Sequence, residues 1–363
     1  MPKLLRVMQV IGSPNAGGAE TFYVRLVKAF AKRDFPVEVI PVVRAHSWIA
    51  GRLTEAGIPH KTAPFGGWFD NYVTHRTQRI LQNYIAAEQP HVVQTWMNRA
   101  SSMLPITPVP SVGRMGGYYP LKYYANLKHL VGNTEDICSH IKAQGFNPKR
   151  VHYVPNFTEE PAPDFVKERA ATLKKYAIPA NAFVLLVAGR LHENKGVDVA
   201  IAALPHLPAH VHLLVAGEGE LEAPLRTFAA QHNVAKRVHF TGWTNNISAM
   251  AAAADAWLVP SRHEPLGNTI LDAWVHNLPV LAANVSGPRS LIEHGGNGLL
   301  FAVDDPRALA ASVQQLLNTP KLAAQLTKNG AAKYAKTFGR EVVLAQYVDL
   351  YKHMTRDKKH DNQ

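Results

Sequence analysis

Between residues 6 and 302, short apolar runs alternate with amphipathic stretches, and this rhythm limits the possible folds more than any other feature of the chain. RVMQVIG (6–12), VEVIPVV (37–43), HVVQTW (91–96), VGRMG (112–116), HLVGN (129–133) and RVHYVPN (150–156) read as strands. Helical spacing fills 19–33, 47–57, 74–90 and 134–144; in the first of these Phe22, Leu26, Val27 and Phe30 share a face. TEEPAPDFVKERAATLKK (158–175) is rich in Pro and charge, then helical, and reads as an interdomain linker leading into the next unit. The alternation then restarts, with strands at 182–190, 210–219, 237–243, 256–261, 279–284 and 296–302. Helices are expected at 197–207, 221–233, 246–255, 267–277, 305–318 and 321–338. Strands separated by helices of this length predict parallel sheets with helices on both faces. Two such sets predict an α/β chain of two doubly wound, Rossmann-like domains. Ligands of such sheets bind beyond the carboxyl ends of the strands, so chemistry is sought in the loops that follow strands.

Charge is unevenly divided. Residues 1–180 hold 22 Lys and Arg against 12 Asp and Glu, whereas 181–363 hold 17 against 15. A positive first half suits an anionic partner such as phospholipid head groups or a phosphorylated glycan, or simply keeps the chain soluble. Within YYPLKYYANLKH, Lys122, Tyr123, Tyr124 and Lys128 are the expected contacts to a head-group surface; a wall of the acceptor site is the other reading. No nucleic-acid motif accompanies the charge. The single cysteine, Cys138, allows no internal disulfide, which fits a reducing compartment. No apolar run is long enough to span a bilayer, so a cytoplasmic protein, peripheral at most on the inner face of the plasma membrane, is expected.

Four loops carry the second half's chemistry. In VAGRLHENKG (187–196), Arg190 and Lys195 leave one strand end together, either as a cradle for a diphosphate or as solvated surface cations. AGEGE (216–220) puts Gly217 and Gly219 after the next strand, for close backbone approach to a ligand or for a tight turn. FTGW (240–243) offers Thr241 and Gly242, with the Trp243 ring, either to cup a nucleobase or to pack at the domain edge. EPLGNTILDA (264–273) is the most specific. Its helix is expected to start near Asn268, and the positive end of its dipole, with the first backbone N–H groups that no turn of the helix satisfies, forms an anion site. Glu264 can accept hydrogen bonds from the hydroxyls of a sugar, and Asp272, one turn into the helix, suits a ribose diol. Two acids bracketing an anion site fit a molecule with a diol at each end and phosphates between, which describes a nucleotide sugar. A helix-start charge facing the dipole is the plainer alternative for Asp272.

EPLGNTILDA followed by LPVLAANVSGPRSLIEHGGNGLLF, with GRLHENKGVDVAI and the early AGGAET, resembles glycosyltransferase family four, the retaining group 1 glycosyltransferases of the GT-B fold. The resemblance covers nearly the whole chain. It implies two Rossmann-like domains facing a cleft: 1–158 on the acceptor side and 159–338 for the nucleotide sugar, with a helix at 339–363 returning to the first. It implies that Glu264 is the acid near the donor sugar and that Asp272 stands where a Glu usually holds the ribose. It also implies that Arg190 and Lys195 neutralise the leaving diphosphate, and that Gly17 and Gly18 form the first domain's glycine loop. The family's first-domain His has no counterpart in VGRMGGYYP. The acceptor-side candidates are therefore Arg114, Gly116, Gly117 and Tyr118, with Arg99 standing where another His is common. The implied activity is retaining transfer of a sugar from a nucleotide-sugar donor to a glycan or lipid-linked acceptor in bacterial envelope polysaccharide or lipopolysaccharide synthesis. Neither cofactor nor metal is expected. A degenerate partner that binds glycan or lipid, and a sugar-nucleotide epimerase, are the rival readings.

Overall fold

The computed structural model describes residues 4–360 apart from 33, 68 and 163, and at 71, 72 and 357–360 the backbone alone. The chain divides into two compact units, Met1–Phe157 with Gly339–Gln363, and Thr158–Phe338.

Unit 1 holds a seven-stranded sheet: β1 (Leu5–Ile11), β2 (Val37–Arg44), β3 (Lys61–Ala63), β4 (Val92–Trp96), β5 (Ser111–Met115), β6 (His129–Gly132) and β7 (Val151–Tyr153). Their order is β3-β2-β1-β4-β5-β6-β7, and every pairing is parallel. The two faces of β1 serve two cores. Val7 and Ile11 pack with Phe22, Leu26 and Phe30 of the helix Gly18–Ala31, while Met8 and Val10 pack with Leu81, Leu104 and Met115. This is the period-two alternation expected of a strand covered on both sides. The long helix Arg340–His360 contributes Val343, Leu344, Tyr347 and Tyr351 to the first of these cores. Its Tyr351 hydroxyl accepts from Gln9 Nε2 and donates to Gln94 Oε1, each at 2.8 Å, so two buried amides on β1 and β4 are tied to the C-terminal helix.

Unit 2 holds β8 (Phe183–Ala188), β9 (Val211–Ala216), β10 (Val238–Gly242), β11 (Ala256–Val259), β12 (Val280–Ala283) and β13 (Leu299–Phe301). The order is β10-β9-β8-β11-β12-β13, again parallel throughout. In both units the sheet grows outward in one direction from its first strand and then reverses, which creates a crevice between β1 and β4 and another between β8 and β11.

Two expectations need correction. The segment read as a linker is largely part of unit 2. Phe165 and Leu173 are buried in its core, and the helix Arg169–Lys175 sends Arg169 Nη1 to the main-chain oxygen of Ala253 at 2.8 Å. The apolar positions were masked by the surrounding Pro and charge. Tyr124 is not a surface contact: it is 1% exposed and donates to Asn98 Oδ1 at 2.8 Å, while Lys122 and Lys128 are exposed. The short β3 and the helices Met97–Ser102 and Ser286–Leu291 also lay below what periodicity resolves.

Candidate functional site

The β8/β11 crevice opens into a pocket lined by Gly189, Arg190, Lys195, Pro260, Ser261 and Thr269, among others. Lys195 ends a single turn, Glu193–Lys195, that is closed by Gly196 with φ +61°. A side chain at Gly196 would begin 2.1 Å from the Pro260 carbonyl oxygen, so only glycine lets this loop lie against the end of β11.

Arg262 locks that arrangement. Its guanidinium reaches Asp198 at 2.5 and 2.9 Å, Asp304 at 2.6 Å and the Glu193 carbonyl at 2.8 Å, while its main-chain N–H donates to Asn194 O at 2.9 Å. The hydrogen bonds to Asp198 push the guanidinium's pKa further above its ordinary value, so the clamp is permanently charged. It joins the loop carrying Lys195 to the loop carrying Glu264. As a result Lys195 Nζ stands 2.5 Å from Glu264 Oε2.

Glu264 is 7% exposed and held from two further sides. Its Oε1 accepts from Gly267 N at 3.2 Å, and its main-chain oxygen accepts from Gly287 N at 2.9 Å. A side chain at Gly287 would begin 2.2 Å from that same oxygen. The helix Asn268–Val275 starts here, after Gly267 at φ +71°, with no side chain capping its first N–H groups. Arg190, which is exposed, and half-buried Lys195 thus share a pocket with Thr269, in the first turn of an uncapped helix. That combination can bind and stabilise an oxyanion.

Asp272 lies one turn into the helix, past the first-turn positions where a carboxylate faces the dipole, so the plainer reading of it does not hold. Its Oδ1 accepts from the hydroxyl of Thr158, and its main-chain oxygen accepts from His276 N at 3.2 Å. Thr158 is buried, and its main-chain oxygen accepts from the Tyr334 hydroxyl at 3.1 Å. One carboxylate oxygen of Asp272 is therefore engaged by the residue that opens unit 2.

Gly217 and Gly219 shape this region through backbone packing. Gly217 has φ +149°, and a side chain there would begin 1.9 Å from Gly189 O; at Gly219 it would begin 2.3 Å from Leu191 O. They let the β9 loop press on the loop that carries Arg190. Gly242 accepts from Gly217 N at 3.0 Å, Thr241 Oγ1 donates to Gly242 O at 2.8 Å, and the Trp243 ring is 59% exposed.

In unit 1 the sequence candidates divide. Gly17 and Gly18 open the helix Gly18–Ala31, where Glu20 Oε2 lies 2.5 Å from where a side chain at Gly17 would begin. A carboxylate thus already faces that helix start. Arg99 is exposed and donates to the carbonyls of Phe65 at 3.0 Å and Gly66 at 3.3 Å. The exposed Tyr118 hydroxyl donates to Asp136. Arg114 is 2% exposed, sunk between the rings of Phe22 and Trp96, each centred 4.7 Å from its guanidinium carbon. Gly116 and Gly117 follow β5 directly. Thr158, Arg262 and Gly287 were not singled out in the sequence; only the recurrence of Arg and Gly beside the EPLGNT loop hinted at the last two.

The family model described as glycosyl transferases group 1 matches residues 168–333. The chain is 30% identical over 338 residues to the lipopolysaccharide core biosynthesis glycosyltransferase LpsE of Rhizobium meliloti (strain 1021), covering 92% of this chain and 95% of that one. Anabaena Alr3699/HepE, solved in complex with UDP and glucose, superposes with a TM-score of 0.79 at 19% identity over 96% of this chain and 100% of that one. WaaG, described as a glycosyltransferase involved in lipopolysaccharide biosynthesis, superposes with a TM-score of 0.68 at 20% identity over 94% and 99% of the two chains.

Proposed function

The chain belongs to the group 1 glycosyl transferases and has the GT-B fold, and from that premise we propose that it transfers a sugar, with retention at the anomeric carbon, from a nucleotide-sugar donor to an envelope glycan of the lipopolysaccharide-core type or its lipid-linked precursor. The observation that carries this is the Lys195–Glu264 contact beside the uncapped start of the helix Asn268–Val275, in the pocket that also holds Arg190. The donor's diphosphate sits in that pocket. Arg190, Lys195 and the positive end of the helix Asn268–Val275 stabilise the negative charge that grows on the leaving phosphate as the glycosidic bond breaks. Glu264 accepts from the hydroxyls of the transferred sugar, and Asp272 offers its second oxygen to the ribose. No side chain is assigned as a nucleophile. The leaving phosphate takes the proton of the incoming hydroxyl on the same face, and the protein supplies position and field.

This reading uses no bound metal, because Arg190, Lys195 and the helix start supply the positive charge. The acceptor is assigned to unit 1, whose first-domain candidates carry no His. No helix among the described residues is long and apolar enough to cross a membrane. We place the protein in the cytoplasm, touching anionic lipid through Lys122, Tyr123 and Lys128.

The test is a screen of UDP-, GDP-, ADP- and dTDP-sugars for donor hydrolysis and thermal stabilisation, followed by turnover with a core oligosaccharide and NMR of the new linkage. Inversion at the anomeric carbon removes the proposed chemistry. Donor binding without turnover on any acceptor favours a degenerate partner.

A further inference from the structure

Unit 1 holds a cation and an amide whose bonding is incomplete, and both border the same small space. Arg114 Nε donates to the Tyr347 hydroxyl at 2.9 Å, and Nη2 donates to Asn156 Oδ1. Both partners are neutral, and the two flanking rings attract the cation through their quadrupoles but carry no counter-charge. No carboxylate among the described residues lies within ion-pair distance of this guanidinium, whose hydrogen bonds run from Nε and Nη2. Burying an unmatched charge is costly, so a matching anion is the missing element.

The second group is Asn133, which is 4% exposed and follows the end of β6. Its Oδ1 and Nδ2 both lack a partner. Buried amides are ordinarily satisfied, so an orphan at both ends calls for a ligand. Gly116 lies between the two groups. A side chain there would begin 3.5 Å from Asn133 Nδ2 and 4.0 Å from Arg114 Nη1, the two nearest described atoms outside Met115–Gly117. The absence of a side chain at Gly116 therefore leaves one location where the unpartnered Asn133 amide and the Arg114 guanidinium converge, at the carboxyl ends of β5 and β6. Around it, Thr134 caps the helix Glu135–Ala143, whose first-turn acids Glu135 and Asp136 are exposed, and Asp136 is engaged by Tyr118. Glu20 lies on the side of Tyr119, whose phenol its charge reaches.

We propose that Asn133 and Arg114, over Gly116, bind an oxyanion carried by the sugar acceptor, so that the enzyme acts on an acidic glycan. This rests on the sugar-transfer reading above and adds the class of acceptor. Arg114 supplies the charge. Asn133 donates from Nδ2 to the anion and accepts through Oδ1 from a neighbouring hydroxyl, a pairing that fits an anionic group on a polyhydroxyl ring better than a free anion. A carboxylate and a phosphate ester share this chemistry.

The test measures binding to the full chain without donor, using glucuronate, glucose 6-phosphate, glucose and inorganic phosphate as probes. Wild type is expected to bind at least one of the two acidic sugars at least tenfold more tightly than glucose or inorganic phosphate. The stronger of the two identifies the anion as carboxylate or phosphate. Asn133→Asp keeps the shape and brings a negative charge toward the guanidinium; it is expected to raise the melting temperature and lower acidic-sugar affinity at least tenfold. Asn133→Leu is expected to lose the affinity without that electrostatic gain. Glucose binding as well as the acidic sugars, or acidic-sugar affinity unchanged in Asn133→Asp, overturns the proposal. Because no nucleotide is present, that outcome leaves donor hydrolysis untouched, whereas failure of the donor screen removes the reading beneath.

Discussion

The two units share a strand order and handle positive charge in opposite ways. In unit 2, Lys195 is half-buried beside its own carboxylate, Glu264, while Arg190 is exposed. An arriving phosphate competes for a charge that is already matched, so the resting pocket is not strained by its absence. In unit 1, Arg114 is sunk among aromatic rings with neutral partners alone. Such a group is costly until a ligand completes it. A matched pair tolerates loss of either ligand or partner gradually; an unmatched buried cation responds sharply to any new charge nearby.

The largest test of this contrast is Glu264→Gln. The carboxylate is removed from the loop without opening a core cavity, so the melting temperature should change little. Transfer should fall by about 10²–10³, the usual cost of removing one group that stabilises a transition state. Steady-state kinetics beside a thermal melt checks both parts, and normal turnover would mean that the pair at Lys195 is structural.

Next come the two cations of the pocket. Lys195→Ala removes a positioned, half-buried charge and should cost about 3 kcal/mol in transition-state stabilisation. Arg190→Ala removes an exposed one, whose contribution is screened by solvent, and should cost less. Calorimetric binding of a nucleoside diphosphate orders them. If Arg190 proves the more important, the ligand lies further out than the Lys195–Glu264 contact indicates.

Asp272 offers a finer comparison, because one of its oxygens is already used by Thr158. A donor lacking the ribose 2′-hydroxyl should bind more weakly by about 1.5–3 kcal/mol, the range for a hydrogen bond to a charged group. Asp272→Ala should weaken binding and erase that discrimination, while Asp272→Glu should retain it. Thr158→Val should weaken discrimination by freeing the carboxylate to turn. Equal affinity of wild type for both donors would leave Asp272 as an anchor for Thr158 alone.

What could be read from the sequence follows the same division. Strand and helix rhythm places the elements because core-facing residues recur at fixed periods, as Val7 and Ile11 do on β1. EPLGNTILDA shows a loop ending at Gly267 and a helix starting at Asn268 because both are local events within one loop. Contacts between segments far apart in the chain were invisible. Nothing in the sequence around Arg262 shows that Asp198 and Asp304 will meet it, nor does Thr158 announce Asp272 or Tyr334. Arg114 shows the limit most clearly. It was singled out as an acceptor-side residue, but the lack of an ion-pair partner for it among the described residues is a property of the packed aromatic core. Asn133, whose two unpaired atoms are visible only once β5 and β6 are side by side, went unnoticed.

The smallest expected effect concerns pH and sets unit 2 against itself. His212 and His239 stack on neighbouring strands, with Nδ1 and Nε2 2.9 Å apart. Burial lowers the pKa of each, and the neighbouring ring and Arg237 lower that of His212 further. Burial also lowers that of His276, at the C-terminal end of the helix of Asp272. A folded-state pKa below the unfolded value means that the unfolded chain binds protons more readily, so unfolding takes up protons. Stability should be full above the unfolded value of about 6.5 and should decline as pH falls through it toward the lower folded values. The melting temperature should therefore drop between pH 7.5 and pH 5.5, above the range where carboxylates titrate. Replacing the pair with His212→Asn and His239→Asn should flatten that slope. A slope unchanged in the double variant would assign the acid sensitivity to His276, whose protonation would disturb the turn of helix that holds Asp272; donor affinity would then fall over the same pH interval as stability.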